Sequence, residues 1–274
     1  MIPAMTAHGV SIPAIGLGTW GLTGEAASEA VRAAIEAGYR HIDTAIGYGN
    51  EAAVGEGIRR SGIARDELFI TTKIPPEQLE ESALLRAAEG SLERLGVDAV
   101  DLLLIHWPSR ALSAATTIRS LGLARARGLT RHIGVSNYTI RLLDEAVAAS
   151  DEPIIANQCE HHPYLGQTRL RAATAAHGIA FIAYCPLGQA EALDEPLVQD
   201  IATRIGRSPA QVLLRWQFQK GCVSIPKSAR PSRIRQNLDI FGFTLDPEDV
   251  ARLDSLGSEG RRICETSFSP EWDN

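Results

Sequence analysis

Several features that would assign this 274-residue chain to a special class are missing. No uninterrupted apolar run approaches the ~18 residues that a membrane-spanning helix needs. The net charge is −6, so no excess of basic residues points to nucleic acid or an anionic membrane as a partner. The opening residues, MIPAMTAHGV, lack the basic start and apolar core of a secretory signal. These absences predict a cytoplasmic protein that binds neither nucleic acid nor a membrane.

Cysteine is also scarce, with four residues and no C-x-x-C pair. Thiols that are few and far apart are typical of reduced core residues in a cytosolic protein. The sequence therefore predicts four reduced thiols in the core, at Cys159, Cys185, Cys222 and Cys264.

What the sequence does contain is a regular alternation of short β-rich segments with helical ones. A hydrophobic fraction of 45% supplies enough apolar side chains for a large core. Period-2 or fully apolar patterns predict eight strands. They are Ile15–Thr19, His41–Asp43, Leu68–Lys73, Val100–His106, His132–Ser136, Ile154–Gln158, Ile179–Tyr184 and Cys222–Ile225.

Helical periodicity fills the intervals between these strands, and many of the helical segments end at a glycine, as helices commonly do. The predicted helices are Glu25–Glu36, Glu51–Arg60, Glu80–Leu95, Thr116–Arg127, Ile140–Ala149, Thr168–His177, Ser208–Phe218 and one beginning at Pro231. Eight strands, each followed by a helix and with no linker between them, predict an α/β fold, a (β/α)8 TIM barrel forming a single domain over residues 1–274. The preceding segment, MIPAMTAHGVSIP, predicts a short N-terminal β-hairpin that caps the barrel floor.

Residues 16–21 read GLGTWG and match the G-x-G-x-x-G pattern of a dinucleotide-binding loop, with Asp43 at roughly the 20-residue distance that the pattern requires. In a Rossmann fold the third glycine lies inside the following helix. Here Gly21 is followed by Leu-Thr-Gly, and helical periodicity starts only near Glu25. The match therefore does not indicate a Rossmann fold. It places Trp20 in a rim loop, where barrel active sites are built.

Four polar groups lie at or just after the ends of predicted strands 2 to 4. Asp43 closes strand 2 and is followed by Tyr48, Lys73 closes strand 3, and His106 closes strand 4. Strand ends of a barrel converge on one rim, so these side chains can surround one pocket. Asp43 can pair with Lys73, whose ammonium would lower the pKa of Tyr48 toward the working pH and make the hydroxyl a proton donor. His106 can orient a carbonyl oxygen, although spacing alone leaves open that each residue only packs or is solvated.

Several longer motifs follow one another along the chain: GYRHIDTAIGYGNEAAVG, LERLGVDAVDLLLIHWP, IGVSNY, NQCEHHPYL, IAYCPLG and IPKSARPSRIRQNL. The first two resemble the strand-2 and strand-4 signatures of the aldo-keto reductases. The next three resemble the nicotinamide side of that family's cofactor site, and the last resembles its segment for the adenosine 2′-phosphate. The resemblance covers nearly the whole chain. The short chain and the tail SFSPEWDN look most like bacterial 2,5-diketo-D-gluconate and methylglyoxal reductases.

The resemblance implies reduction of aldehydes and ketones with NADP(H) as cofactor, without metal or flavin. It implies a catalytic tetrad in which Tyr48 is the general acid, Lys73 and Asp43 support it electrostatically, and His106 orients the substrate. The implied cofactor contacts are Thr19, Asp43, Ser136, Asn137, Gln158, Tyr184, Pro186, Leu187, Gly188, Ile225, Lys227, Ser228, Arg233, Gln236 and Asn237. The implied substrate contacts are Trp20, Tyr48, His106 and Trp107.

Residues 227–235, KSARPSRIR, concentrate four cations in an otherwise acidic chain. Pro231 suits the first turn of a helix, so several of these cations lie near the positive end of a helix dipole. A bound phosphate would interact favourably with the dipole and the cations together. Only NADPH carries the 2′-phosphate, so the segment predicts a preference for NADPH over NADH. The alternative is a group of solvated side chains.

The sequence departs from the family pattern in two places. Gly21 stands where many members carry a basic residue, which predicts a weaker hold on the pyrophosphate. Gln236 stands where an acidic residue is common, so its contact to the adenine is in doubt. The segment Ser109–Ser120 is short and alanine-rich, which predicts an open pocket for small carbonyl substrates, with Trp272 approaching from the tail.

Two other functions compete with a reductase. His41, Asp43, His106, His161 and His162 on an α/β barrel would suit a metal-dependent hydrolase, but adjacent histidines in an extended segment cannot both face inward. A barrel that binds NADP(H) only as a sensor or scaffold is the other alternative, and the intact tetrad argues against it. The sequence shows no heptad seam, so a monomer is expected.

Overall fold

A computed structural model describes residues 2–273. Eight parallel strands form one sheet in chain order, which confirms the predicted (β/α)8 class. The barrel strands are β3 (Leu17–Gly18), β4 (His41–Asp43), β5 (Phe69–Ile74), β6 (Val100–Ile105), β7 (Thr130–Ser136), β8 (Ile154–Glu160), β9 (Ala180–Tyr184) and β10 (Val223–Ser224).

The barrel closes where the first of these strands meets the last. Isolated parallel bridges join Ile15 to Ser224 and Gly18 to Lys227, and the Gly16 and Gly18 amides donate to the carbonyls of Ser224 and Pro226 at 2.9 and 3.1 Å. A Cβ at Gly18 would lie 2.6 Å from the Ile225 carbonyl oxygen. Gly18 of GLGTWG therefore permits close backbone approach at this seam.

Helices surround the sheet, as predicted, and two of them were not expected from the sequence. The observed helices are α1 (Gly24–Ala37), α2 (Glu51–Ser61), α3 (Glu81–Leu95), α4 (Ala114–Ala126), α5 (Ile140–Ala149), α6 (Thr168–Ala176), α7 (Pro196–Ile205), α8 (Pro209–Gln219), α9 (Pro231–Leu238) and α10 (Pro247–Ser255). The unexpected ones are α7, which shares the β9–β10 connection with α8, and α10, which follows the barrel. Both start at a proline, and α7 ends at a left-handed Gly206. None of the helices within residues 2–273 has the length and apolarity that a bilayer crossing requires.

The predicted N-terminal hairpin is present. Strands β1 (Ala4–Ala7) and β2 (Val10–Pro13) pair antiparallel, and Ala7 and Ile12 pack with inward-facing barrel residues such as Leu102 and Ile182. The hairpin therefore closes the barrel floor with apolar side chains and leaves the opposite rim for polar ones.

Two of the four cysteines differ from the prediction. Cys159 and Cys222 are buried, whereas Cys185 and Cys264 are only half-buried, in loops at the rim. All four thiols are free. The expectation of four core thiols was wrong because sequence spacing does not show which loops reach the rim.

Candidate active site

The four strand-end residues of the predicted tetrad lie together at the rim. Lys73 donates to an Asp43 carboxylate oxygen at 2.5 Å and to the Tyr48 hydroxyl at 3.3 Å. The Tyr48 and His106 rings meet edge to face, with centroids 5.6 Å apart. Asp43 and Lys73 are each 1% exposed, whereas Tyr48 and His106 remain partly accessible. A buried ion pair thus supports two groups that a small molecule can reach.

Local structure explains how these residues converge. Strand β4 ends at Asp43, and a single 3-10 turn, Ile46–Tyr48, directs Tyr48 back over β5. Lys73 lies near the end of the fully buried strand β5, and its ammonium also donates to the Thr44 carbonyl at 2.8 Å. Burying an ammonium is costly unless it is paired, and three oxygen acceptors compensate for that cost here.

The pKa of Tyr48 differs from the sequence-based expectation. Burial raises the pKa of Tyr48 above its ordinary 10.0, and the opposing effect of Lys73 does not offset it. Burial tends to lower the pKa of Lys73, but the Asp43 carboxylate and the Tyr48 hydroxyl together outweigh burial and raise that pKa above 10.5. Lys73 does lower the Tyr48 pKa, as expected, but the expected net fall toward the working pH was wrong because burial, which residue spacing does not show, raises that pKa by more. Tyr48 stays protonated, as a proton donor must.

The His106 imidazole is neutral at physiological pH. Burial, assisted by the Lys73 ammonium, lowers the pKa of His106 to about 3. A neutral imidazole can donate one hydrogen bond to a carbonyl oxygen without carrying charge. His106 can therefore orient a substrate at all physiological pH values.

Beside the tetrad lies a group of buried polar side chains, here called the amide cluster: Ser136, Asn137 and Gln158. The Gln158 amide donates to the second Asp43 carboxylate oxygen at 2.7 Å, and the Ser136 hydroxyl donates to the Gln158 carbonyl at 2.7 Å. The Asn137 amide donates to the His106 carbonyl at 3.0 Å and its oxygen accepts from the Tyr184 hydroxyl at 2.9 Å. The amide cluster is thus joined directly to the tetrad.

The segment after β9 is an irregular turn, residues 185–190, here called the strap. It contains Pro186, Leu187 and Gly188, and four of its residues have a left-handed backbone: Cys185, Gly188, Gln189 and Ala190. The buried Gln217 amide donates to the carbonyls of Pro186 and His161 at 3.2 and 2.9 Å. Gln217 therefore anchors the strap from α8, a role with no signal in the sequence.

The cation segment, residues 227–235, follows β10 at the same rim. Lys227, Arg230, Arg233 and Arg235 are exposed, and no carboxylate among residues 2–273 lies within ion-pair distance of any of them. Helix α9 begins at Pro231, as predicted, and Ser228 and Asn237 are buried beside these cations. Gln236 is exposed. Lys227, Arg230 and Arg233 lie before or in the first turn of α9 and form a cation set suited to a phosphate, whereas Arg235 lies in the last turn.

The loop with Trp20 lies at the rim between β3 and α1. Trp20 is 61% exposed, whereas Trp107 is buried and meets Trp272 edge to face at 6.3 Å between centroids. The buried Asn50 amide donates to the carbonyls of Thr19 and Leu22, both at 2.9 Å, and so fixes the Trp20 loop. The backbone of Gly21 is left-handed, with φ of 73°, which disfavours any residue that carries a Cβ at this place. Asn50 is a second residue that sequence reasoning missed.

Residues 258–273, here called the tail, cross the rim after α10. The buried Glu160 carboxylate at the end of β8 accepts from the Ile263 amide at 2.6 Å and the Cys264 amide at 3.2 Å. Farther along, the Asp273 carboxylate accepts from the Ile140 amide at 2.7 Å. The tail brings Trp272 to Trp107, as expected from the sequence.

The residues considered for a metal site have other partners. His162 pairs with Glu160 at 2.8 Å, while His161 stacks on Trp216 with centroids 4.9 Å apart. Within residues 2–273, no three His, Cys, Asp or Glu side chains are grouped so that they could hold an ion.

Comparisons with known proteins agree with this geometry. The family model described as "Aldo/keto reductase family" matches residues 14–258. An aldo-keto reductase of Mycolicibacterium vanbaalenii is 49% identical, over 92% of this chain and 91% of that protein. A morphine 6-dehydrogenase of Pseudomonas putida is 43% identical over 96% and 95%, and a glyoxal reductase of Bacillus subtilis is 44% identical over 93% and 92%.

Two solved structures are similar over the full chain. A putative 2,5-diketo-D-gluconic acid reductase B has a TM-score of 0.96 at 38% identity, covering 100% of this chain and 98% of that one. An aldo-keto reductase from Bombyx mori, solved in complex with NADP, has a TM-score of 0.92 at 33% identity, with the same coverage.

Proposed function

Because this chain belongs to the aldo/keto reductase family of NADP-dependent oxidoreductases, we propose that it reduces small aldehydes and ketones to alcohols with Tyr48 as the proton donor. The observation that carries the proposal is the buried Lys73–Asp43 ion pair, 2.5 Å long, beneath the accessible Tyr48 and His106. A hydroxyl supported by a buried ammonium is suited to giving a proton to a developing alkoxide.

The residues present fit an NADP(H) cofactor along the whole rim. Ser136, Asn137 and Gln158 supply buried amide and hydroxyl groups for a carboxamide, and Tyr184 supplies a ring for the nicotinamide. The strap residues Pro186, Leu187 and Gly188 would line the pyrophosphate. Lys227, Ser228, Arg233, Gln236 and Asn237 would hold the adenosine end, and Thr19 and Ile225 would complete the wall at the barrel seam. The unpaired cations of the cation segment are the structural observation that favours a 2′-phosphate there.

The proposed roles in the reaction follow from position and charge. NADPH, when bound, supplies the hydride. His106 hydrogen-bonds the substrate carbonyl oxygen and holds it beside Tyr48. Tyr48 gives its hydroxyl proton to that oxygen as negative charge develops. Lys73 stabilises the tyrosinate left behind, and Asp43 keeps Lys73 charged and in place.

The substrates proposed are small dicarbonyls and diketo sugar acids. Only residues 106–113 separate β6 from α4, so this side of the rim has no long covering loop. The exposed Trp20 and the Trp107–Trp272 pair are the candidate aromatic walls. The similarity to a glyoxal reductase supports this choice, and the similarity to a morphine 6-dehydrogenase makes a bulkier polycyclic ketone the substrate to compare against.

The test is NADPH consumption, followed by absorbance, with methylglyoxal, 2,5-diketogluconate and a polycyclic ketone such as morphinone. We expect higher kcat/KM for the two small substrates. If the polycyclic ketone is turned over better, the substrate proposal is wrong although the reductase proposal stands. Absence of turnover with any carbonyl, together with measurable NADPH binding, would instead favour the sensor or scaffold. Hydrolysis without cofactor would favour the hydrolase.

We also propose that the protein is a monomer located in the cytoplasm. Light scattering on the purified protein gives the mass directly, and a dimer mass would contradict the first part. Fractionation of the producing cells checks the second.

A further inference from the structure

Two thiols that take no part in the proposed reaction lie on either side of the contact between the tail and the strap. Cys264 belongs to the tail, where the Glu160 carboxylate accepts its backbone amide. Cys185 belongs to the strap, directly after Tyr184, and Tyr184 is the register partner of Glu160 in the β8–β9 pair. Glu160 therefore holds Cys264 beside the strand end that Cys185 follows.

Further contacts bring the two side chains together. The Gln189 amide of the strap donates to the Cys264 sulfur at 3.8 Å. A Cβ at Gly188 would lie 3.6 Å from Cδ1 of Ile263, the residue before Cys264. Each thiol is also the largest single influence on the pKa of the other, as expected of neighbouring sulfur atoms. Both are half-buried and both are reduced in this structure.

The two thiols are chemically unequal. The hydrogen bond from Cys264 lowers the pKa of the Cys185 thiol, although burial opposes it. The same contact, with burial, raises the pKa of Cys264. Reactive cysteines that sense oxidants have thiolate character, are accessible and stand next to a second thiol that resolves the first product. The lowered pKa and partial exposure of Cys185 suit it to the first role, and Cys264 is the second thiol.

We propose that Cys185 and Cys264 are a peroxide-sensitive thiol pair that closes to a disulfide and fastens the tail to the strap. In the first step the Cys185 thiolate attacks one oxygen of a hydroperoxide. The O–O bond breaks, water or an alcohol leaves after protonation, and Cys185 becomes a sulfenic acid. In the second step the Cys264 sulfur attacks the Cys185 sulfur. The S–S bond forms, the S–O bond breaks, and water leaves with the Cys264 proton. Two thiols are oxidised and one peroxide is reduced.

The other two cysteines provide an internal contrast. Cys159 and Cys222 are buried at 1% and 0% exposure, and burial raises the pKa of each. Neither thiol should be oxidised by peroxide under conditions that oxidise Cys185 and Cys264.

The experiment exposes the purified, reduced protein to hydrogen peroxide and maps its disulfides by mass spectrometry. We expect the intact chain to become lighter by about 2 Da, the mass of two hydrogens. One peptide pair should be linked through Cys185 and Cys264, and dithiothreitol should reverse the change. Cys264→Ser should instead accumulate a sulfenic acid at Cys185, captured by dimedone, whereas Cys185→Ser should show little dimedone labelling at Cys264. Cys222→Ala is the matched control and should form the same disulfide as the unaltered protein.

Hydrogen exchange of the tail supplies a readout that does not depend on activity. Exchange over residues 258–273 should slow on oxidation of the unaltered protein and stay unchanged in Cys185→Ser. The proposal is overturned if the two thiols stay free while dimedone labels neither, or if the linked peptides involve other cysteines. If the Cys185–Cys264 disulfide forms but hydrogen exchange of residues 258–273 does not slow, the part of the proposal in which the disulfide fixes the tail to the strap is wrong. None of these outcomes depends on the proposed reductase function.

Discussion

The amide cluster and the cation segment lie on the same rim but differ in how their polar groups are satisfied. In the amide cluster, Ser136, Asn137 and Gln158 are each 1% exposed. They are hydrogen-bonded to one another, and Gln158 is also hydrogen-bonded to Asp43. In the cation segment, four cations are exposed and have no carboxylate partner among residues 2–273. The first region is arranged before any ligand arrives, whereas the second gains its favourable interactions only from a bound anion. Substitutions in the two regions should therefore have different signatures.

The largest effect is expected at the tetrad beside the amide cluster. Tyr48→Phe keeps the ring packing and removes the transferable proton, so kcat should fall by about 10²–10⁴. NADPH binding, measured by fluorescence, should change little. Near-normal turnover in a folded Tyr48→Phe variant would rule out Tyr48 as the acid.

Lys73→Met tests the support of that acid. The substitution keeps most of the apolar stem but leaves the Asp43 carboxylate buried without its cation, and the Tyr48 pKa rises further. The loss in kcat should approach that of Tyr48→Phe. Circular dichroism must show a native fold, and a variant that folds and turns over normally would contradict the role of the ammonium.

A smaller and selective effect is expected in the cation segment. Arg233→Ala should weaken NADPH binding about tenfold, or by about 1.4 kcal/mol, and leave NADH binding nearly unchanged. Because the site is exposed, the difference should shrink as salt rises. Arg127→Ala, which removes one exposed arginine at the end of α4, is the matched control for net charge. Equal losses for both cofactors would show that Arg233 does not meet the 2′-phosphate.

An unselective effect is expected in the amide cluster. Gln158→Leu should weaken NADPH and NADH by the same factor, roughly fivefold or about 1 kcal/mol each, because the nicotinamide end is common to both. It also removes a hydrogen bond to Asp43, so kcat should fall as well. The exposed Gln199→Leu serves as the control. If Gln158→Leu weakened the binding of one cofactor much more than the other, the amide cluster would not be the region that binds the part common to NADPH and NADH.

The smallest effect is expected from pH. Burial places the pKa of His106 at about 3 and raises that of Tyr48 above 10.0. His106 is thus neutral and Tyr48 protonated throughout, so kcat/KM for carbonyl reduction should be flat from about pH 5 to 8. Alcohol oxidation needs the tyrosinate and should rise with pH over the same range. A reduction profile that bends near pH 6.5 would show that His106 titrates in the working enzyme.

The features predicted from sequence are those that depend on local pattern. Strands such as Val100–Ile105 and helices such as Ile140–Ala149 follow from apolar periodicity, and the rim position of Asp43, Lys73 and His106 follows from strand ends. Helices α7 and α10 were missed because they are additional to the one-strand, one-helix repeat on which the prediction relied. Their prolines and the Gly206 stop were the available signals.

The features that the sequence did not reveal depend on distance in space. Gln217, Asn50 and Glu160 act on carbonyls or amides far away in the chain. The Tyr48 pKa depends on burial that spacing does not show. Cys185 and Cys264 are far apart in the chain, and contacts of the tail with Glu160 and with the strap place them near each other. The roles of the tetrad and of the cofactor residues stay predictions until the variants above are measured.

The seam between β3 and β10 has a consequence for folding. Ile15 and Gly18 bridge to Ser224 and Lys227, about 200 residues later in the chain, through two isolated bridges. Pairing at such separation has a large loop-closure entropy, so the seam should form late, after the intermediate strands are aligned. Until then both edge strands of the sheet are open and able to pair with another chain. Refolding yield should therefore fall as protein concentration rises, and the amides of Gly16 and Gly18 should be among the first barrel amides to exchange.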